Sequence, residues 1–244
     1  MTPQPSTNTL SQGTGTEDQL ASPARVVIVD DHPIFRLGLA QLLAAEPDLE
    51  VVGEAEDADA ALALLRERQV DLAVIDLSLK NGSGIDLIKQ IRAAWPDLKL
   101  LVLSMHDEQL FGERVLRAGA HGYLMKHVPA DRIVGAVRKS LRGELAVSEQ
   151  LAENMLNAMV SRPRAGTGIE NLSDRELEVF ELLGRGHDTR NIAESLKISI
   201  KTVETHQSNL KLKLGAHSAH QLRRLAVLWA TEGLANSQHS ANRS

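Results

Sequence analysis

The chain has 244 residues, of which 43% are hydrophobic, 24% are charged and only 2% are aromatic. It contains no cysteine, which excludes disulfides and any cysteine-ligated metal centre. No apolar run approaches the roughly 20 residues that span a bilayer, and the N-terminus lacks the basic start and apolar centre of a signal peptide. We therefore expect a cytoplasmic protein with no membrane contact.

The net charge of −5 is unevenly distributed along the chain. Residues 1–150 carry 15 lysines and arginines against 22 acidic residues, whereas residues 151–244 carry 12 against 10. Between Arg185 and Arg224 the basic excess is larger, with 8 basic and 3 acidic side chains. An acidic half followed by a basic segment indicates a controlling domain joined to a domain that binds a polyanion.

The first half of the chain predicts an α/β domain. Residues 1–24 are rich in Ser, Thr, Gln, Gly and Pro without periodicity, which predicts a disordered tail. Over 25–145, short β-branched apolar runs alternate five times with stretches of helical periodicity, which predicts a doubly wound, flavodoxin-like five-stranded parallel sheet. The predicted strands lie near 25–30, 49–55, 70–76, 98–103 and 120–124. The predicted helices lie near 33–45, 57–68, 84–94, 107–118 and 129–142.

A partly helical linker is predicted over 146–171. Residues 148–160 have apolar residues at helical spacing, and residues 161–171 contain Pro and Gly without an apolar stripe. The chain therefore passes from one domain to the next within this segment.

An all-α domain of four helices is predicted over 172–234. Ser173 and Glu176 have the spacing of a capping box, which starts the first helix. The next helices are predicted near 188–196, 199–213 and 218–230. Residues 235–244 are predicted to form a second disordered tail.

Carboxylates stand where the predicted strands end. Asp30 and Asp31 follow the first strand, and Asp76 ends the third. Because ligands of a doubly wound sheet bind at the carboxyl ends of its strands, we expect these carboxylates to share one site. Clustered carboxylates need a neutralising cation, and Mg²⁺, which prefers oxygen ligands, is the simplest candidate.

Two further polar residues end the later strands. Ser104 ends the fourth strand, and Lys126 follows the fifth, shortly after Tyr123. Carboxylates, a metal ion, a hydroxyl group and an ammonium group are what phosphoryl transfer onto an Asp requires. An Asp pair in a loop is most often a solvated turn, and a lone Lys after a strand usually has no special role. Their coincidence at consecutive strand ends favours the functional interpretation.

The segments VVIVDDHPIFRLGL, DLAVIDLSLKNGSGIDLI, LLVLSMHDE and AGAHGYLMK resemble the receiver domain of bacterial two-component response regulators. The resemblance implies that Asp76 accepts a phosphoryl group from a partner sensor histidine kinase. It also implies that Asp30, Asp31, Asp76 and the backbone of Ser78 hold Mg²⁺. The sequence departs from the receiver pattern at Lys80, where proline is usual.

The same resemblance assigns roles to the later strand ends. Ser104 and Lys126 would bind the phosphoryl oxygens, and Ser104 and Tyr123 would act as switch residues. The alternative for Tyr123 is a plain packing role. Because Mg²⁺ prefers oxygen ligands, three histidines near the site are interpreted as neither metal ligands nor phosphohistidines: His32, His106 and His127.

Residues 188–213 predict two helices joined by a short turn, the spacing of a helix-turn-helix whose second helix enters the major groove. One side of that second helix is apolar, and the other side carries lysines for phosphates and Glu, Thr and Ser side chains for base edges. A solvated helix within a bundle is the alternative. The candidate DNA-binding residues are Lys201, Thr202, Glu204, Thr205, Ser208, Asn209, Lys211 and Lys213.

The segments LSDRELEVFELLGRG and IAESLKISIKTVETHQSNLKLKLG resemble the LuxR-type helix-turn-helix, and its union with a receiver resembles the NarL/FixJ class of response regulators. The resemblance implies a transcription regulator in which phosphorylation changes domain arrangement or dimerisation and thereby promoter binding. It implies no enzyme activity beyond Mg-dependent self-phosphorylation and slow self-dephosphorylation. A homodimer on inverted-repeat half-sites of double-stranded DNA is also implied, with these candidate dimer residues: Leu222, Leu225, Leu228 and Trp229. The alternative is that Leu222 and Leu225 close the core of their own domain.

Two other classes of function stay open at this point. A receiver-like domain with a purely structural acidic pocket would leave DNA binding constitutive or set by another ligand. A phosphohydrolase that forms an aspartyl phosphate is the second class, although such sites usually have a second Asp where this chain has Ser78. Flavin binding is disfavoured because no Ser/Thr/Gly phosphate loop follows the first strand.

Overall fold

The structure is a computed structural model that describes residues 22–80, 82–160 and 168–241. The predicted N-terminal tail up to residue 21 and the linker residues 161–167 lie outside the described residues. The last three residues of the predicted C-terminal tail do so as well.

The elements follow the predicted alternation of strands and helices. The strands are β1 (Ala24–Val29), β2 (Leu49–Ala55), β3 (Leu72–Ile75), β4 (Ser78–Leu79), β5 (Gly82–Ser83), β6 (Lys99–Ser104) and β7 (Gly122–Met125). The helices are α1 (Pro33–Ala44), α2 (Ala58–Glu67), α3 (Gly84–Ala94), α4 (Glu108–Ala118), α5 (Ala130–Leu141), α6 (Glu149–Val160), α7 (Asp174–Gly184), α8 (Thr189–Ser195), α9 (Ile200–Leu214) and α10 (Ala219–Ala241).

The N-terminal fold class is confirmed: a five-stranded sheet with the order β2-β1-β3-β6-β7, in which every pair of neighbours is parallel. Alternate residues of β1 supply two separate cores, because successive side chains of a strand point to opposite faces. Val27 and Val29 belong to one apolar cluster, and Val26 and Ile28 belong to the other. The strands are therefore apolar on both faces, as a sheet covered by helices on both sides requires.

A small hairpin of β4 and β5, absent from the sequence prediction, follows Asp76 and carries the chain into α3. Gly84 at the start of α3 lies so close to this turn that a Cβ atom there would clash with the carbonyl oxygen of Asp76. The glycine therefore permits the loop to close tightly behind the predicted site.

The four helices α7 to α10 form the predicted all-α domain. The capping box is present, since the Glu176 amide donates to Ser173 Oγ at 3.3 Å and the Ser173 amide donates to Glu176 Oε2 at 2.7 Å. Val203 and Leu210 of α9 are fully buried in the domain core. Their burial leaves the opposite side of α9 facing outward.

Helix α10 extends to Ala241, so it includes residues 235–241, for which the sequence predicted a disordered tail. This stretch contains no proline, and adding residues to a nucleated helix costs far less than nucleating one. In the part of the chain that the structure describes, no helix is long and apolar enough to cross a membrane.

Candidate functional site

Three buried carboxylates meet at one edge of the sheet. Asp30 follows β1 and Asp76 follows β3, and these neighbouring parallel strands end side by side, with the Asp76 amide donating to the Val29 carbonyl at 2.8 Å. Asp31 completes the cluster, and all three residues are buried. Their oxygens and a ring nitrogen of His32 lie within 4.8 Å of one another, so the group can hold a metal ion.

Lys126 lies in the middle of this acidic pocket, defined here as Asp30, Asp31 and Asp76. Its Nζ is 2.7 Å from Asp30 Oδ2 and 2.7 Å from Asp76 Oδ2, and 4.5 Å from the centre of the Phe35 ring. Burial and the neighbouring Asp30 raise the pKa of Asp76 even though Lys126 opposes the shift. The pocket therefore carries more negative charge than Lys126 alone neutralises.

Two oxygens of the acidic pocket are buried without a hydrogen-bond partner in the described structure: Asp31 Oδ1 and Asp76 Oδ1. His32 Nδ1 comes within 2.7 Å of Asp31 Oδ1 but without the geometry of a hydrogen bond. Unpartnered buried carboxylate oxygens are costly unless a cation binds them, and hard oxygen donors are the set that Mg²⁺ favours. The residues present fit such an ion.

The two predicted switch residues meet beside the acidic pocket. Ser104, at the end of β6, is fully buried, and its Oγ accepts a hydrogen bond from the His106 amide at 3.2 Å. Tyr123 is also fully buried and donates its hydroxyl to the His106 carbonyl at 2.8 Å. Burial raises the pKa of Tyr123 well above its ordinary value, so the phenol is a neutral hydrogen-bond donor. Both side chains therefore hold the backbone of the same residue.

His106 connects the receiver to the helical domain, a role that the sequence did not reveal. Its Nε2 lies 2.9 Å from Ser78 Oγ, and its Nδ1 lies 2.6 Å from Glu181 Oε2 on α7. Burial disfavours the imidazolium, but the hydrogen bond and charge of Glu181 raise the pKa of His106. The same contact and Arg185 lower the pKa of Glu181 despite its burial. The pair is thus a charge-assisted link between the two domains.

Further polar contacts surround this link. The second oxygen of Glu181 accepts from the Asp107 amide at 3.2 Å. Arg114 of α4 donates to the Leu172 carbonyl at 2.6 Å and to Asp174 at 3.2 Å, and Asp174 also accepts from Lys89 at 3.1 Å. The face of the receiver around α3 and α4 is therefore docked on the start and middle of α7.

A lysine of the helical domain also reaches the acidic pocket. Lys197, in the turn between α8 and α9, forms an ion pair with Asp31 Oδ2. The Asp31 side chain is only 3% exposed, whereas that of Lys197 is 40% exposed. No spacing in the sequence pairs these two residues, because 166 positions separate them.

The predicted DNA-binding side of α9 is largely open to solvent. Thr205 and Ser208 donate their hydroxyls to the carbonyls four residues earlier, each at 2.9 Å. Lys213, for which the sequence predicts a phosphate contact, places its Nζ 2.6 Å from Glu176 Oε2 and 3.2 Å from the Asn171 carbonyl in this structure. Lys211 is half-buried, whereas the other members of the predicted set are exposed: Lys201, Thr202, Glu204, Thr205, Ser208, Asn209 and Lys213.

The predicted dimer residues on α10 divide into two groups. Leu222 is 2% exposed, so it belongs to the core of its own domain and is not available to a partner copy in this arrangement. It is buried because α10 packs against α7 along this side, as the buried Ala226 shows. Leu225 and Trp229 are half-buried against the same core, whereas Leu228 is 48% exposed.

Comparison with known proteins agrees with this two-domain geometry. Residues 26–138 match the response regulator receiver domain, and residues 170–226 match the luxR family of bacterial regulatory proteins. The chain therefore belongs to the response regulators that join a receiver to a LuxR-type DNA-binding domain, as the sequence predicted. Proteins of this class are phosphorylation-controlled transcription regulators rather than enzymes that turn over a separate substrate.

Individual relatives cover most of the chain. It is 34% identical over 204 residues to the oxygen regulatory protein NreC of Staphylococcus carnosus, across 81% of this chain and 94% of that protein. It resembles RcsB of Salmonella enterica serovar Typhimurium, solved bound to the rprA promoter with the phosphomimetic BeF3⁻. The superposition on RcsB has a TM-score of 0.57 at 29% sequence identity, and it covers 83% of this chain and 98% of the RcsB chain. A LuxR-family response regulator from Aurantimonas matches with a TM-score of 0.53 at 34% identity, over 57% of this chain and all of that one.

Proposed function

We propose that a sensor histidine kinase phosphorylates Asp76 and that this modification controls binding of the helical domain to promoter DNA. The observation that carries the proposal is the acidic pocket, where buried Asp76 lies 2.7 Å from the Lys126 ammonium and keeps an unpartnered oxygen. The similarity to RcsB, solved on promoter DNA with a phosphomimetic, supports the same link between receiver and DNA here. DNA binding would place the protein in the bacterial cytoplasm.

The chemistry is an in-line phosphoryl transfer. A carboxylate oxygen of Asp76 attacks the phosphorus of the kinase phosphohistidine, so that a P–O bond forms, the P–N bond breaks and the kinase imidazole leaves with the electron pair. Asp30, Asp31, Asp76 and the backbone carbonyl of Ser78 are the residues that would hold Mg²⁺. The bound ion would neutralise charge that builds up on the phosphoryl oxygens.

Lys126 and Ser104 are the groups positioned to hold the transferred phosphoryl group. Both are buried beside Asp76, and their ammonium and hydroxyl donors suit phosphoryl oxygens. Small phosphodonors would react at the same oxygen of Asp76, and water would slowly hydrolyse the acyl phosphate. These self-reactions set the lifetime of the signal and act on no separate substrate.

Ser104 and Tyr123 would transmit the change to the helical domain. In this structure Ser104 Oγ accepts from the His106 amide, so a Ser104 that turns to a phosphoryl oxygen releases that amide. Tyr123 holds the carbonyl of the same residue, and the His106 side chain binds Glu181 of α7. Phosphorylation would therefore loosen the loop that ties the two domains together.

The released helical domain would then bind DNA as a pair. We assign base and phosphate contacts to Lys201, Thr202, Glu204, Thr205, Ser208, Asn209 and Lys211 of α9. Pairing of two copies through the outer side of α10, with Leu228 exposed and Leu225 and Trp229 at its margin, would select inverted-repeat half-sites of double-stranded DNA.

The proposal is tested by DNA binding with and without beryllofluoride. Duplexes selected from a random library by the full chain with Mg²⁺ and BeF3⁻ are titrated by fluorescence anisotropy. We expect tighter binding when BeF3⁻ and Mg²⁺ are both present, and loss of the gain in EDTA. Equal affinity in all conditions would show that the acidic pocket does not control DNA binding.

A further inference from the structure

We infer that Lys197 is a built-in competitor for the metal ion of the acidic pocket, so that metal loading and domain docking exclude each other. The inference rests on the proposed metal site of the receiver. An ion pair joins the two domains here, because the Lys197 ammonium binds Asp31 Oδ2, on a side chain that is only 3% exposed. The Lys197 ammonium and a metal ion bound by Asp31 would therefore compete for the same carboxylate.

The charges of the pocket favour an exchange of one cation for another. Three carboxylates face two ammonium groups, because Lys126 binds Asp30 and Asp76 while Lys197 binds Asp31. A divalent ion in place of Lys197 would balance the three carboxylates completely. It would also bind Asp76 Oδ1 and Asp31 Oδ1, two buried oxygens without a hydrogen-bond partner in the described structure, although His32 Nδ1 lies 2.7 Å from Asp31 Oδ1.

The local backbone holds Lys197 in position. Among the described residues, Lys197 is the one non-glycine residue with a positive φ, at 53°, a conformation that L residues rarely adopt. Its amide donates to the Glu194 carbonyl at 3.2 Å, and the Ile198 amide donates to the Ala193 carbonyl at 3.0 Å. The backbone of the turn is thus fixed on α8, so that the docked domain keeps the Lys197 side chain within reach of Asp31.

The docked arrangement also obstructs DNA binding. Lys197 lies just before Ile200, the first residue of α9, and a recognition helix reads DNA mainly with its N-terminal residues. A receiver seated on Lys197 therefore lies beside the end of α9 that must enter the major groove, although the outward side of that helix is open. Metal binding at Asp31 would help to remove this obstruction, and by linkage docking would weaken metal binding by the same factor.

The inference is tested by titrating Mg²⁺ into the full chain by calorimetry. Lys197→Met removes the charge but keeps much of the aliphatic length, and we expect it to bind Mg²⁺ about tenfold more tightly, within the range usual for coupled sites. Lys197→Arg keeps a cation and should stay near the affinity of the unmodified chain. Arg190→Ala is the matched control, since it removes a positive charge whose ion pair is with Glu194 of its own helix.

A second readout measures domain separation without any reaction. Because the chain has no cysteine, two can be introduced at exposed Gln90 and Arg224 and labelled for spin–spin distances. Mg²⁺ should shift the unmodified chain and Arg190→Ala toward longer distances. Without metal, Lys197→Met should show a larger share of the longer distances than the unmodified chain, while the contacts of His106 and Arg114 keep the rest docked. Identical distance distributions for the two chains would contradict the inference.

The outcomes separate the inference from the proposed function. If every variant binds Mg²⁺ with one affinity, Lys197 does not compete and the inference is wrong, while the proposed metal site stands. If Lys197→Arg tightens binding as much as Lys197→Met, the effect comes from the turn and not from its charge, and the inference also fails. If no variant binds Mg²⁺, the metal site of the proposed function is itself wrong.

Discussion

The acidic pocket and the predicted DNA-binding side of α9, called here the recognition side, are built under opposite physical constraints. The recognition side consists of these exposed residues: Lys201, Thr202, Glu204, Thr205, Ser208 and Asn209. The pocket gathers side chains from the ends of separate strands, buries them and fixes them through ion pairs such as Lys126 to Asp76 at 2.7 Å. The recognition side comes from one helix and is exposed, and its hydroxyls bond to their own helix, as Thr205 does to the Lys201 carbonyl. The acidic pocket is organised before any ligand arrives, whereas the recognition side would complete its contacts only on DNA.

This contrast predicts different sizes of effect. In the pocket each group has one task and no substitute, so that single substitutions should act almost as an on–off change. On the recognition side many weak contacts would share the affinity for DNA, so that single substitutions should produce graded losses. Between the two lies the link from His106 to Glu181, for which an intermediate effect is expected.

The largest effect should follow from Asp76→Asn, which keeps the volume and removes the anionic nucleophile. We expect no labelling from acetyl phosphate in the presence of Mg²⁺, measured by phosphate-affinity electrophoresis. Asp86→Asn, which changes a largely exposed carboxylate on α3, should be labelled as the unmodified chain is. Full labelling of Asp76→Asn would place the acceptor elsewhere, and the acidic pocket would then not be the site of phosphorylation.

Loss of Asp31, a proposed ligand of the metal ion, should have the next largest effect. Asp31→Ala leaves Asp76 in place but removes a carboxylate that would hold Mg²⁺, so labelling should slow by at least about tenfold and survive at high Mg²⁺. The rate is read from a time course of acetyl phosphate labelling. A labelling rate that changes neither in EDTA nor on this substitution would contradict the role of the metal ion.

Breaking the link between the domains should have an intermediate effect. Glu181→Gln removes the charge that binds His106 Nδ1 at 2.6 Å. A hydrogen bond to a charged group contributes about 1.5–3 kcal/mol, so the separated arrangement should gain roughly 10- to 100-fold in population. Small-angle scattering of the full chain should then show a larger radius of gyration.

A matched control for this link lies in the same domain. Glu194→Gln changes an exposed glutamate whose ion pair is with Arg190 of its own helix at 3.5 Å. It should leave the scattering curve unchanged, whereas identical curves for Glu181→Gln and the unmodified chain would show that the His106 contact does not hold the domains together.

The strand ends could be read from the sequence because the pattern itself determines where parallel strands converge. Asp30, Asp76 and Ser104 follow apolar runs, and a doubly wound sheet brings the ends of such runs to one edge. The links of His106 with Glu181 and of Lys197 with Asp31 could not be found in this way. They depend on how two domains dock, and no periodicity along the chain encodes that arrangement.

Which side chains of a helix stay exposed was harder to predict from the sequence than where the helix lies. The predicted bounds of α9 are close to the observed ones, yet Lys213 turns back to the capping box of α7. Leu222 likewise shares an apolar stripe with Leu228 in sequence but is buried against α7. A helical period identifies a face, whereas the neighbouring helix decides which members of the face are covered.

Graded effects are expected from the hydroxyls of the recognition side. Thr205→Ala or Ser208→Ala should cost about 1 kcal/mol, roughly fivefold in affinity, on the preferred duplex because one base contact is lost. Random duplex should be bound as before. Competition binding with single-base variants of the preferred duplex checks this, and equal losses on both kinds of DNA would mean that these residues face the backbone.

The smallest effects should distinguish two lysines of the same helix. Lys201 is exposed near the start of α9, so Lys201→Ala should weaken binding to all duplexes alike and reduce the slope of log affinity against log salt by about 0.9.

Lys213 is held by Glu176, a carboxylate whose pKa is lowered by Lys213 and Ser173 despite its desolvation. Lys213→Ala should therefore lower the free energy of unfolding by up to about 1 kcal/mol and leave the salt slope nearly unchanged. Thermal unfolding and binding at several salt concentrations measure the two quantities separately. If the two variants exchange these effects, Lys213 leaves Glu176 on DNA, and the recognition side rearranges further than its free form indicates.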